Sequence, residues 1–212
     1  MVVPSPEFCE ALCVDEKQVL RKELKAKRRS AVETLPTSIS GLVFRHPPAP
    51  LLAMIPQGAT IGLYHATPHE APTAAYAQWF HERGFPIALP WFAQRGAAMR
   101  FRLWSAPYAD LLAPDPYGAL QPSANAGEVI PDVIFVPLIG FTVRGERLGQ
   151  GGGHYDRWLE AQPDALAIGL AWDCQKVEAL PNQPHDRHLA AVVTPTRFYE
   201  TPGFMRKTPD AP

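Results

Sequence analysis

Cysteine is scarce in this chain, with Cys9, Cys13 and Cys174 the only three among 212 residues. An odd, scattered set cannot build a disulfide framework or a four-cysteine zinc site, so a reducing compartment is expected. Cys9 and Cys13 stand about one helical turn apart, but no histidine lies near them to complete a metal site. Long apolar runs are also missing. Nothing approaches the ~20 residues of a membrane span, and Glu7 and Glu10 stand where a secretory leader would be apolar. A cytoplasmic protein without membrane partners is expected. Charge of one sign is not in surplus: 20 Lys and Arg face 21 Asp and Glu, for a net charge of -1. No global field draws nucleic acid, and any anion site must be local. The chain has no internal repeat and no G-x-x-x-x-G-K followed by Ser or Thr. His154 occupies the place where a dinucleotide fingerprint needs its third glycine. No Ser, His and Asp or Cys and His arrangement points to a covalent nucleophile.

What is present fits one globular unit. Apolar residues make up 46% and charged residues 19% of the chain, enough to close a core over residues 15–200. Residues 1–14 read as a flexible arm and 201–212 as a polar tail. Asp15 and Gln18 read as a capping pair that opens a helix running to about Glu33. Along it Lys17, Arg21, Lys25 and Arg28 form a basic stripe beside Leu20, Leu24 and Ala31. Such stripes are ordinarily solvated. From Pro36 to Gly58 prolines allow a short helix and an irregular connection. Thr60 to Tyr64 reads as a strand, Thr73 to Arg83 as a helix ended by Gly84, and Pro86 to Leu89 as a strand. That order marks a crossover in a mostly parallel sheet. Met99, Phe101 and Leu103 alternate with Arg100, Arg102 and Trp104 as in a strand with one polar face. The proline-rich stretch from Ala106 to Pro131 reads as a long excursion. Val133 to Val136 reads as a buried central strand, His154 to Gln162 as a helix, and Ala165 to Leu170 and Ala190 to Val193 as further strands. The expected architecture is an α/β three-layer sandwich, with a mostly parallel central sheet and helices on both faces.

The chemistry concentrates in Leu138 to Asp156, LIGFTVRGERLGQGGGHYD. Gly149, Gly151, Gly152 and Gly153 stand after a buried strand and immediately before a helix. Glycine turns its amide into positive-φ conformations and lets backbone approach a ligand, while a helix N-terminus adds unpaired N–H donors and partial positive charge. Together they suit a phosphate. Arg147 can neutralise that phosphate, and Asp156 sits where a hydrated magnesium ion would be held. A purely structural glycine turn is the simpler alternative.

These residues resemble the 5-formyltetrahydrofolate cyclo-ligase family, also called methenyltetrahydrofolate synthetases. Val136 to Leu159 is similar to its signature of Val-Pro, an apolar pair, Phe-Asp, a short turn and Arg-Leu-Gly-x-Gly-x-Gly-x-Tyr-Asp. Lys17, Arg21, Glu70, Pro90, Met99, Phe101, Pro122 and the His185-Asp186 pair fall in the family's order. The resemblance implies an ATP-dependent ligase that takes 5-formyltetrahydrofolate as substrate and Mg2+ as cofactor. By resemblance, Lys17, Arg21, Arg147, Leu148, Gly149, Gly151, Gly152, Gly153, His154 and Tyr155 hold ATP, and Asp156 and Asp186 face the metal. His65, Glu70, Gln150, Gly151, Gly152, Gly153 and His154 face the folate, with Gln150 and Tyr155 nearest the reaction. A monomer is expected, with no nucleic-acid partner. Three positions depart from the pattern: Thr142 replaces the usual Asp, Gln150 a common Arg or Lys, and His154 a common aromatic. Arg100 or Arg102 could supply the cation lost at Gln150.

The implied reaction converts 5-formyltetrahydrofolate and ATP into 5,10-methenyltetrahydrofolate, ADP and phosphate. Ring closure by N10 must expel the formyl oxygen, which leaves readily only once phosphorylated. Two alternatives stand beside it: an ATP-dependent enzyme acting on another small substrate, and a folate- or nucleotide-binding protein with weakened turnover.

Overall fold

A computed structural model describes residues 6–40, 42–105, 112–181 and 186–202. In chain order its elements are α1 (Pro6–Glu33), α2 (Thr37–Ser40), α3 (Ala49–Met54), β1 (Ile61–Gly62), α4 (Ala74–His81), β2 (Ile87–Trp91), β3 (Arg100–Leu103), β4 (Ala113–Pro114), β5 (Leu120–Gln121), β6 (Glu128–Val129), β7 (Val133–Pro137), β8 (Gly140–Phe141), β9 (Arg147–Leu148), α5 (His154–Ala161), β10 (Leu166–Leu170), β11 (Ala191–Val193) and β12 (Phe198–Glu200). Eight strands form one sheet in the order β12-β11-β10-β7-β1-β2-β3-β6. From β11 to β2 the pairings are parallel, and the outer strands β12, β3 and β6 pair antiparallel. The expected mostly parallel sheet is therefore present, with helices against both faces.

Alternation along the buried strands builds those two faces. Val133 and Phe135 of β7 join Tyr76 and Phe80 of α4 and Leu51 of α3 on one side. Ile134 and Val136 join Trp158 and Leu159 of α5 on the other. A strand covered on both sides reads as a continuous apolar run, as VIFVP does over β7. Gly84 ends the α4 segment at φ +79°, a conformation open to glycine.

Several expectations need correction. α1 begins at Pro6, so residues 6–14 are helical and not an arm. Nothing between Pro6 and Asp15 breaks a helix, and proline is tolerated in a first turn. The Asp15 cap is therefore internal, and the side chains of Cys9 and Cys13 lie outside the described residues. At the other end Thr201 still belongs to the body, because its N–H donates to Ala190 O at 2.9 Å and its hydroxyl to Leu189 O at 2.6 Å. The basic stripe of α1 is not a solvated face. Lys17 and Arg28 are buried, Arg21 is half-buried, and only Lys25 is exposed. No helix among the described residues is long and apolar enough to cross a membrane.

Candidate functional site

The carboxyl ends of β1, β2 and β7 open onto a cleft of about 760 Å3, the position where open α/β sheets bind ligands. Lys17 and Arg21 enter it from α1, and His65 and Glu70 from the connection between β1 and α4. The continuous run Arg147 to Asp156 forms one wall, and Asp186 completes the set. Every site residue expected from the sequence therefore lines one cleft; His185 lies outside the described residues.

Local structure explains the convergence. β7 leaves the sheet into the β8–β9 hairpin, and β9 delivers Arg147 and Leu148 directly into the glycine loop. α1 packs close to that hairpin at Gly140, where a Cβ would lie 2.6 Å from Leu24 Cδ1. This approach brings Arg21 onto the loop, where its Nε donates to Gly149 O at 2.9 Å. Gly151 has φ +105°, and Gly153 caps α5 at φ +62°. Both conformations favour glycine and aim backbone groups that a side chain would block.

The cleft carries matched charge. Lys17 Nζ lies 2.8 Å from Asp186 Oδ2. Arg147 pairs with Asp156 and also donates to Arg187 O. Burial pulls the Arg147 guanidinium below its usual value, opposed by the Asp156 and Asp186 carboxylates. Across the opening Gln150 Nε2 donates to Glu70 Oε1 at 3.0 Å, while Glu70 Oε2 accepts the Thr67 N–H at 2.8 Å. Burial, reinforced by Glu70, holds the Tyr155 phenol well above its ordinary value. That group stays protonated and is a donor. Burial first, and Arg157 second, lower His154, partly offset by Asp115. Its ring packs at 4.9 Å from both Phe92 and Tyr117.

Phe92, Asp115 and Tyr117 also line the cleft, and sequence reasoning missed them. Phe92 directly follows β2, whereas Asp115 and Tyr117 belong to the β4–β5 hairpin, which turns on Asp115, whose Oδ1 accepts the N–H groups of Tyr117 at 2.7 Å and Ala119 at 2.9 Å. The run Pro114 to Gly118 carries that turn signal, but nothing local says where the hairpin docks. Arg100 and Arg102 do not replace a cation at Gln150. Neither lines the cleft; Arg100 pairs with Glu128 at 3.1 Å and Arg102 lies over the Trp91 ring at 4.2 Å. Thr142 is buried and donates to Glu146 Oε2 at 2.6 Å, so it fastens the β8–β9 turn.

Comparison with known proteins follows the same residues. Residues 14–195 match the model of the 5-formyltetrahydrofolate cyclo-ligase family. The 5-formyltetrahydrofolate cyclo-ligase of Escherichia coli (strain K12) is 42% identical over 90 residues, 38% of this chain and 47% of that protein. In that alignment the chain spans about half the length of its relative. The Haemophilus influenzae protein of the same name is 32% identical over 140 residues, 61% of this chain and 72% of the relative. Among solved structures, the 5,10-methenyltetrahydrofolate synthetase of Aquifex aeolicus superposes with a TM-score of 0.62 at 22% identity, covering 92% of this chain and 97% of that one; this likeness shows the fold. With its family match running from before Lys17 to beyond Asp186 and those residues gathered in one cleft, the chain belongs to the 5-formyltetrahydrofolate cyclo-ligase family.

Proposed function

We propose that this protein closes 5-formyltetrahydrofolate to 5,10-methenyltetrahydrofolate at the expense of ATP, releasing ADP and phosphate. One observation carries the reading: glycine loop, basic side chains, paired carboxylates and the Glu70–Gln150 bridge all line a single cleft. The formyl oxygen attacks the γ-phosphorus and ADP leaves. N10 then attacks the activated formyl carbon, expels phosphate and loses its proton. Phosphoryl transfer of this kind asks a protein chiefly for positioning and charge stabilisation. Lys17, Arg21, Arg147 and the amides of Gly149 to Gly153 are the groups for the phosphates. Glu70, Gln150 and His65 face the folate. Tyr155, held protonated by burial, donates a hydrogen bond to oxygen charge and does not act as a base.

The donor set suits magnesium carried on nucleotide phosphates. Among the described residues no cluster of three or more His, Cys, Asp or Glu could cage a metal, whereas magnesium is commonly held by one or two carboxylates together with substrate phosphates. Asp156 and Asp186 are those carboxylates, and the bound ion would supply neutralisation of the transferred phosphoryl group. The test is the absorbance rise of methenyltetrahydrofolate when purified protein meets 5-formyltetrahydrofolate, ATP and magnesium, beside an Asp156→Ala control. ATP-dependent formation that the control loses supports the reading. Folate binding without product refutes it and leaves the binding-protein alternative.

A further inference from the structure

Arg157 lies in the first turns of α5 and is not among the residues lining the cleft, yet its guanidinium turns back onto the glycine loop. Nη2 donates to Gly152 O at 2.8 Å and lies 3.2 Å from His154 Nδ1. A guanidinium can only donate, so Nδ1 accepts. Nη1 occupies the space over Gly153, where a Cβ would meet it at 2.8 Å.

The peptide link between Gly152 and Gly153 is trans, so its carbonyl and its N–H point in opposite directions. Arg157 holds the carbonyl, so the Gly153 N–H is held pointing away from that guanidinium. At the other end of the loop Arg21, which does line the cleft, donates to the Gly149 carbonyl. Gly151 with φ +105° stands between the two held carbonyls. With no Cβ on either side, the Gly152–Gly153 peptide resists rotation poorly on its own. We propose that Arg157 is a positioning residue for the nucleotide, holding this peptide in the orientation that offers the Gly153 N–H to phosphate. The proposal rests on the ATP reading above and adds a residue outside those that line the cleft.

Isothermal titration calorimetry of the full chain with ADP, and separately with 5-formyltetrahydrofolate, tests it in wild type, Arg157→Ala and Arg157→Lys. Loss of one well-aimed phosphate donor weakens ADP about tenfold, while folate, held also by Glu70, Gln150 and His65, weakens by no more than about threefold. Lysine reaches one carbonyl and restores ADP affinity to within about threefold of wild type. Because Arg157 does not touch the phosphate, the fold-loss in the alanine variant stays about constant between roughly 50 and 300 mM salt. An unchanged ADP affinity in Arg157→Ala, an equal loss for both ligands, or a loss that fades steeply with salt overturns the proposal. Wild-type protein that binds folate but no ADP overturns instead the nucleotide reading beneath it.

Discussion

Asp156→Ala and Arg147→Met remove the two ends of one ion pair and should not cost the same stability. The Arg147 side chain is 4% exposed and that of Asp156 30% exposed. Removing the carboxylate strands a buried cation, which keeps the Arg187 carbonyl but loses its countercharge. Breaking a buried pair this way costs about 3–5 kcal/mol, and the water that reaches Asp156 puts this case at the lower end, about 3 kcal/mol. Removing the arginine leaves a carboxylate that can hydrate, at about 1 kcal/mol. For a chain of this size each kcal/mol moves Tm by about 2–4 °C. Asp156→Ala should therefore lose about 6–12 °C and Arg147→Met about 2–4 °C, with the double variant recovering most of the difference. Urea midpoints and thermal melts at pH 7.5 without nucleotide measure it. Equal losses, or a larger one for Arg147→Met, would refute the assignment of the buried charge.

Tyr155→Phe should lower kcat about 10–100-fold without shifting the alkaline limb of the pH profile below pH 9, because burial keeps the phenol protonated there; a limb lost with the hydroxyl would contradict the donor role. The Cys174 thiol is raised, by burial first, so less of it is thiolate at pH 8. In a Cys9→Ser, Cys13→Ser background it should alkylate several-fold more slowly than free cysteine and speed up only as pH rises beyond the ordinary thiol range, as timed iodoacetamide labelling will show. Gly62→Ala should cost about 2 kcal/mol by chemical denaturation, since its Cβ would meet Ile134 Cγ2 at 2.9 Å and both Phe101 Cε1 and Pro131 Cγ at 3.0 Å.

Signals that repeat along the chain were legible, and contacts made across it were not. The apolar run at Val133 to Val136, the α4 pattern ended by Gly84 and the glycine loop before α5 each carry their cause locally. The parallel sheet and the glycine-loop wall of the cleft could be read from them. Two-residue strands such as β8, β9, β4 and β5 are too short for any periodicity to declare. β12, Phe198–Glu200, pairs with β11 through backbone bonds that side-chain pattern hardly reflects. The start of α1 at Pro6 was obscured by a plausible capping pair that tertiary structure overrides. Tyr117 meets His154 only because the β4–β5 hairpin folds over the cleft, and Phe92 reaches the same ring from the end of β2. The stripe on α1 was visible as charge, but its burial depends on Gly140 letting α1 approach.

On the proposed reading, the paired charges explain how a chain of net charge -1 keeps an anion site. Lys17 and Arg147 are each matched by a carboxylate, Asp186 and Asp156, so neither is confined as a bare cation at the high cost of desolvating it. On the proposed reading, nucleotide phosphates take over the two cations, and the two carboxylates turn to the magnesium that accompanies the nucleotide. Charge is exchanged and not created, which limits the electrostatic penalty at each step. The same exchange fixes the order of sensitivity. A variant that loses Asp186 removes one carboxylate that competes with phosphate for Lys17 and also a group proposed to face the metal, so without magnesium it should bind ADP at least as tightly as wild type, whereas with magnesium it should fall behind. ADP titrations of Asp186→Asn with and without magnesium read both arms. Weaker binding in both would mean that Asp186 serves mainly to hold Lys17 in place.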